Sequence, residues 1–472
     1  MIGKPGVGRP ARRVGEVAKT RKVALAVGVA LVLGGCATYT ERPLTHAAVR
    51  AQLKPRPVTA VWVSRARLLL PQLPPITVHK GARMTPDLAA VIAVVGDPML
   101  RSLRAEEAVA SAQVLSAGLL PNPVFSYGLG VPISGAGLTR AFRVGLGLPI
   151  RSLITRRARV QAARAHARAV DLTIAWREWQ VASRAKALTY ELLVGRRARA
   201  LLDHEVRALR ASVATLDDAE ASGFATIGAA AAARLALHQT KVARLAVREA
   251  YALKSQALRA LLGIGSDVPL RLAWPRRAGG GMPERPVWLQ GLGHRRLDLL
   301  ALREGYRSAD ARLRAAIAGQ FPAITVGVDR ARDTSDINTL GGGVSVSLPI
   351  FNHNQGAIAQ ARASRRVLFR TYAARLFQAR SEIETLLTKL RYTERTIRAR
   401  RGTVRVLKRL QGLYRHALLR HRIAALTYYQ LLDRADRERL ALLRARARED
   451  QLRVALEAAS GRFEWPGTRH GG

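Results

Sequence analysis

Phe142-Arg143-Val144-Gly145-Leu146-Gly147-Leu148-Pro149-Ile150 is the stretch that decides how this chain folds. Phe142, Val144, Leu146 and Leu148 alternate with Arg143, Gly145 and Gly147. A period of two puts the large apolar side chains on one face of a strand and the small or polar ones on the other. The preceding segment has the same pattern, with Phe125, Tyr127, Leu129 and Val131 set against Ser126, Gly128 and Gly130, and Gly135-Ala136-Gly137 can turn the chain between the two. About 200 residues later the passage recurs. Ile324, Val326 and Val328 alternate with Thr325, Gly327 and Asp329; a polar turn from Asp333 to Asn338 follows, then Val344, Val346 and Leu348 on one face. Leu348-Pro349-Ile350 closes this second pair as Leu148-Pro149-Ile150 closes the first, so the chain states one unit twice. Strands of about ten residues with a greasy and a wet face suit a tilted membrane crossing, with Val144 near its midplane. A hairpin in a soluble sandwich would show the same alternation. Two hairpins cannot close a barrel alone, so membrane insertion requires several chains.

Each strand pair opens into a very long helical stretch. No Pro occurs from Ser152 to Ser222, and Leu202, Val206, Leu209, Val213 and Leu216 step by four and three as in a coiled-coil seam. Gly223 interrupts, and a second helix is expected from Ile227 to Leu262. Asn354 to His421 is again free of Pro, with Leu407, Leu410, Tyr414 and Ala417 in the same stepping, and a last helix runs from Arg422 to Gly461. Helical pattern also fills Pro86 to Gly118, until Pro121-Asn122-Pro123 stops it. The fold class is therefore mainly α with a small β part. The expected organisation is 1–35 a signal peptide, 36–85 an extended, Pro-broken segment, 86–262 a first repeat, 263–293 a Gly- and Pro-rich connector, 294–461 a second repeat and 462–472 a tail.

With 472 residues and one Cys, the chain has no disulfide framework. The net charge of +45 has no zinc-finger, RNA-recognition or basic-zipper pattern to go with it, and its Arg residues are spread along the helical stretches. Charge without a reader argues against nucleic acid as partner. The single Cys lies where the N-terminus needs it: a basic segment, Met1 to Lys22, precedes the apolar run Val23 to Gly35, which is too short to span a bilayer and ends Leu33-Gly34-Gly35-Cys36. That ending resembles the bacterial lipobox, which implies lipidation of Cys36 and, with Ala37 following, an outer-membrane destination. The alternative is an inert Cys in an uncleaved anchor.

Four segments resemble those of TolC-type outer-membrane efflux factors, in particular the heavy-metal (cobalt-zinc-cadmium) resistance branch. They are Asp97 to Leu100 with Ala117 to Pro123, Arg296 to Leu299 with Ala315 to Ile324, Leu348-Pro349-Ile350-Phe351-Asn352-His353-Asn354-Gln355-Gly356, and the helix-hairpin tips around Glu220 to Gly223 and Tyr414 to Asp433. The chain departs from the family pattern at Leu297, His353 and His421, where Pro, Arg and Gly are usual. The resemblance implies a homotrimer with a twelve-stranded outer-membrane β-barrel and a periplasmic α-barrel. It further implies a passive export duct, with a periplasmic adaptor, an inner-membrane resistance-nodulation-division transporter and outer-membrane lipid as partners. No cofactor, resident metal or catalysis belongs to that reading. Heavy-metal cations are the substrate the branch implies. A coiled-coil outer-membrane lipoprotein without channel activity would account for the heptads and Cys36, but not for the paired strands.

Enzyme-like fragments read better as structure. Gly145-Leu146-Gly147 sits inside a strand with no helix N-terminus after it to hold phosphate. His416 and His421 are five apart and do not share a helix face as i, i+4 metal ligands do. The candidate functional positions are of other kinds. Cys36 is the lipid anchor, and Arg143 and Asp329 face the lumen by strand parity. Gly223 and Thr226, with Ile423 and Ala424, are candidates for the periplasmic aperture and adaptor docking, against the simpler reading of a helix-hairpin turn. Asp217, Asp218 and Glu220 cluster just before that turn, either as an acidic ring or as its solvated end.

Overall fold

The computed structural model describes residues 37–53, 83–275, 285–420 and 422–462. Cys36 and the expected signal peptide, 1–35, lie outside them, as do His421 and most of the tail. The chain divides into two compact units, Met1–Pro55 and Arg56–Gly472. In the first, residues 37–45 carry no regular element and His46–Leu53 form helix α1. The sequence reading expects extended chain here. The helix fits between Pro43 and Pro55, and the Thr45 hydroxyl accepts from the Ala48 amide at 3.2 Å, which starts it.

The second unit presents the repeat. Helices α2 (Pro86–Gly96) and α3 (Pro98–Gly118) lead into strands β1 (Val124–Gly130) and β2 (Ala141–Pro149), then α4 (Arg151–Ala221) and α5 (Ile227–Leu262). The second copy runs through short α6 (Arg285–Leu289) and α7 (Leu292–Arg295), α8 (Leu297–Ala318), β3 (Ile324–Arg332), β4 (Asn338–Val346), α9 (Gln355–Leu419) and α10 (Ala425–Ser460). The helix starts follow local chemistry: Pro occupies the first turn of both α2 and α3, and the Asp97 carboxylate accepts from the Met99 and Leu100 amides at 2.7 and 3.0 Å. Val131 and Leu348, expected within strands, fall just past the ends of β1 and β4. After Ser347 the backbone turns, with the Ile350 amide donating to the Leu348 carbonyl.

Helix α4 has 71 residues, about 105 Å at 1.5 Å per residue. No helix of that length can bury a stripe against one short neighbour, so its partners divide it. The 36-residue α5 covers its distal half, α3 and α8 pack on the half nearer the sheet, and α2 packs near the middle, against Ala185 to Leu193. The 65-residue α9 is treated alike by α10 and α8. The core is correspondingly a string of clusters along the seams. One joins Leu88 and Ile92 to Leu192, Leu193, Leu258 and Leu262; another joins Trp288, Leu299, Ile383 and Leu456. Charge enters these seams too: Lys186, nearly inaccessible, bridges Asp87 and Glu457 at 2.9 Å each.

The four strands form one antiparallel sheet in the order β1-β2-β3-β4. Both helix-to-strand junctions are clamped. The Arg156 guanidinium donates to the Gly118 carbonyl at 2.8 Å, Arg151 donates to the Gly319 carbonyl, and Asn354 Nδ2 donates to the Ala316 carbonyl at 2.7 Å. Side chains from the long helices thus satisfy the last carbonyls of α3 and α8.

Candidate functional site

The strand register sorts the sheet into two faces. Ser126, Gly128, Arg143, Gly145, Gly147, Thr325, Gly327, Asp329, Gly341, Gly343 and Ser345 share one side. Phe125, Tyr127, Leu129, Phe142, Val144, Leu146, Val326, Val328, Leu340 and Val344 share the other. Glycine on the small-residue face leaves room that an added Cβ would fill: at Gly145 it would come within 2.7 Å of the Ser126 hydroxyl. Arg143 and Asp329 lie on this face, and their charged groups approach to 3.8 Å. That pairing lies across neighbouring strands and is invisible to parity alone. At 72% and 37% side-chain exposure it is a solvated ion pair, worth little to stability but able to set a local field.

The strands also explain the Leu348 to Gly356 signature. Asn352 Oδ1 accepts from the Asn354 amide at 2.9 Å and Gln355 Oε1 accepts from the His353 amide at 2.7 Å. Asn354 itself takes φ 63°, a conformation that Asn tolerates better than most side chains, and its side chain reaches α8. The motif is a strand-to-helix turn in which side-chain atoms of Asn352, Asn354 and Gln355 bond backbone groups.

At the far end of the long helices the two hairpin turns lie together. Val213 and Leu216 of α4 and Ala232, Ala233 and Leu237 of α5 pack with Ala425, Tyr428, Tyr429 and Leu432 of α10. Gly223 takes φ 75°, and a Cβ there would meet nothing within 4 Å. Thr226 caps α5, its hydroxyl accepting from the Ala229 amide at 3.2 Å. Ala424 is the residue before α10, and Ile423, half-buried, precedes it. The acidic cluster is partly neutralised within the hairpin. Arg234 of α5 meets Asp217 at 2.8 Å and Glu220 at 3.1 Å, whereas Asp218 is exposed and forms no ion pair among the described residues. Arg234 was not among the sequence candidates; its position directly after the Ala229-to-Ala233 run gives no local sign of a partner across a turn.

A second polar cluster higher on the same helices was also missed. Arg439 of α10 reaches Asp436 at 2.9 Å, Glu205 of α4 at 3.6 Å and Gln411 of α9 at 2.7 Å. Burial, reinforced by Glu205, lifts Asp436 to a pKa of about 6 despite Arg439. Among the described residues no three His, Cys, Asp or Glu side chains converge as a metal site would require.

No protein-family model matches the chain, and no curated protein sequence matches it. Solved structures do. CusC, studied for the conformational changes accompanying folding and transmembrane channel formation, is similar with a TM-score of 0.68 at 17% identity, over 80% of this chain and 92% of that one. The outer membrane protein VceC from Vibrio cholerae gives 0.65 at 18%, over 80% and 97%. The Campylobacter jejuni CmeC outer membrane channel gives 0.65 at 13%, over 82% and 90%. At such identities the likeness is one of fold, and this chain has the fold of these outer-membrane channel proteins: long helical hairpins joined to four strands per chain.

Proposed function

We propose that this chain is the outer-membrane channel subunit of a tripartite efflux pump, a passive duct with no catalytic step. One observation carries the reading: a four-stranded sheet with one apolar face, one small and polar face and two unpaired edges, continuous with helical hairpins. An exposed open edge is untenable in lipid. Three copies joined β4 to β1 give a closed, even-stranded barrel of about twelve strands, with Arg143 and Asp329 in the lumen and Val326 and its row against lipid. Among the described residues no helix is long and apolar enough to cross a membrane, so in this reading the sheet is what crosses.

The repeats at 86–262 and 294–461 then supply a periplasmic α-barrel, linked by 263–293. Its tips at Gly223 and Ile423 are where a periplasmic adaptor docks and couples the duct to an inner-membrane transporter of the resistance-nodulation-division kind. Cys36, outside the described residues, adds a lipid anchor. A heavy-metal substrate rests on the resemblance at Leu348 to Gly356 alone. Because those polar atoms serve a turn, selection among substrates falls to the transporter. The test is purification in mild detergent followed by planar-bilayer recording. Heat-stable trimers that conduct support the reading, and a monomeric, non-conducting protein overturns it. Loss of acyl-chain labelling on Cys36→Ser checks the anchor separately.

A further inference from the structure

The apolar face of the sheet does not stay apolar to its end. Along β3, Ile324, Val326 and Val328 are followed on the same face by Arg330 and Arg332. Arg330 lies in register between Val144 of β2 and Leu340 of β4, and Arg332 between Phe142 and Asn338. Arg140, one residue ahead of β2, continues that face, and the Thr139 amide still holds the Thr334 carbonyl at 2.8 Å. Three arginines therefore occupy two neighbouring strands at the end away from the helices. Rows on one face are about 6.6 Å apart along a strand.

Charge on this face is costly anywhere but at a boundary. An arginine facing lipid costs about 2–4 kcal/mol at the bilayer midplane and about 0–1 near an interface. Two in succession on one strand therefore put the edge of the hydrocarbon at Arg330. From Ile324 to Arg330 the strand rises about 20 Å, and a tilt of about 40° leaves roughly 15 Å of height, short of the usual band of about 25 Å. The rest comes from the helix side, where Phe321, Leu348, Ile350 and Phe351 are 57%, 74%, 66% and 91% exposed.

The local acids leave part of this charge unmatched. Arg332 is paired with Asp336, and Asp333 Oδ1 accepts from the Ser335 and Ile337 amides at 2.9 Å each. Asp329 lies on the opposite face with Arg143. Arg140 and Arg330 are exposed and have no ion pair among the described residues. A guanidinium at a lipid interface extends its apolar stem along the hydrocarbon and its fork to the headgroups, where phosphate matches its geometry.

We propose that Arg140 and Arg330, flanked by Arg332, form an anionic-lipid site on the outward rim of the barrel that binds headgroup phosphates of the external leaflet. This rests on the channel reading. The full chain is reconstituted into vesicles of phosphatidylcholine alone or mixed with phosphatidylglycerol, and co-purifying lipid is counted by native mass spectrometry. Wild-type protein retains the anionic lipid preferentially, Arg330→Gln and Arg140→Gln each lower that preference about five-fold, and Arg330→Lys keeps part of it. Arg143→Gln, on the other face, leaves it unchanged. Inorganic phosphate at millimolar concentration does not displace the lipid. Insertion without preference for the anionic lipid, an equal loss with Arg143→Gln, or displacement by free phosphate overturns this proposal and leaves the channel reading standing. Wild-type protein that never inserts overturns both.

Discussion

Asp436 shows how a single side chain can set the pH response of the helical wall. Its carboxyl is nearly inaccessible, and burial together with Glu205 lifts its pKa from 3.8 to about 6 even though Arg439 donates to it at 2.9 Å. His204, 3.7 Å from Glu205 and mostly exposed, faces the same cluster. With the folded pKa above the unfolded one, the native state holds the proton more tightly, so stability rises as pH falls through the window from about 6 to 3.8 and drops as pH climbs back. The whole effect is on the order of 2–3 kcal/mol. Asp436→Asn keeps an acceptor for Arg439 without the buried charge. It should therefore be more stable than wild type at pH 7 and indistinguishable below pH 4, as read by urea unfolding at both pH values. Lower stability at pH 7 would mean that the carboxylate is needed there as an anion. Lys186 reaches an upward shift by another route: burial pushes its pKa down, but Glu457 and Asp87 outweigh it. Its contribution is present at neutral pH and is lost only as pH rises past its ordinary value of 10.5.

Element ends separate what the fold requires from what it merely allows. Gly263 ends α5 at φ 62°, and a Cβ there would lie 2.3 Å from the Gly96 carbonyl oxygen at the end of α2. Gly223 has a similar φ of 75° but open space around it. Both Ala variants carry the left-handed penalty of about 1 kcal/mol. Only Gly263→Ala adds a backbone clash, so it should cost several-fold more stability than Gly223→Ala by thermal unfolding. Equal costs would show that α2 and α5 part easily at that point. Sequence reading reached the elements themselves because their signals are local: period two in β2, Pro-free runs for α4 and α9, Gly at the turn. It did not reach α1, whose eight residues sit among prolines, nor the ends of β1 and β4. The Arg234 clasp on Asp217 and Glu220 crosses a hairpin turn, and the Asp436–Glu205 contact joins residues 231 apart in the chain. No spacing rule announces either. What could be read in advance was what parity determines, the face that Arg143 and Asp329 share.

In the proposed channel, the register turns strand parity into a test by depth. Val144 pairs directly with Arg330, so on the proposed lipid-rim reading it would lie level with that rim rather than near the bilayer midplane, where the sequence reading puts it. Val326, two rows nearer the helices and paired with Leu148 and Val344, is the deeper position on the same face. Val326→Arg should then cost about 2–4 kcal/mol per chain and block insertion, while Val144→Arg should cost about 0–1 and be tolerated. Asp329 is on the other face, beside Gly145 and Gly341. Reversing it to Arg breaks only a solvated pair with Arg143, so Asp329→Arg should assemble normally and shift the ion selectivity of reconstituted channels toward anions. Membrane fractionation, trimer yield and reversal potentials under a salt gradient read the three outcomes. The side-chain period of a strand is two, so a register error of a single residue exchanges every prediction at once. If Val326→Arg inserts as wild type and Asp329→Arg is the variant that fails, the glycine face is the one that meets lipid, and both the lumen assignment and the barrel built on it are wrong.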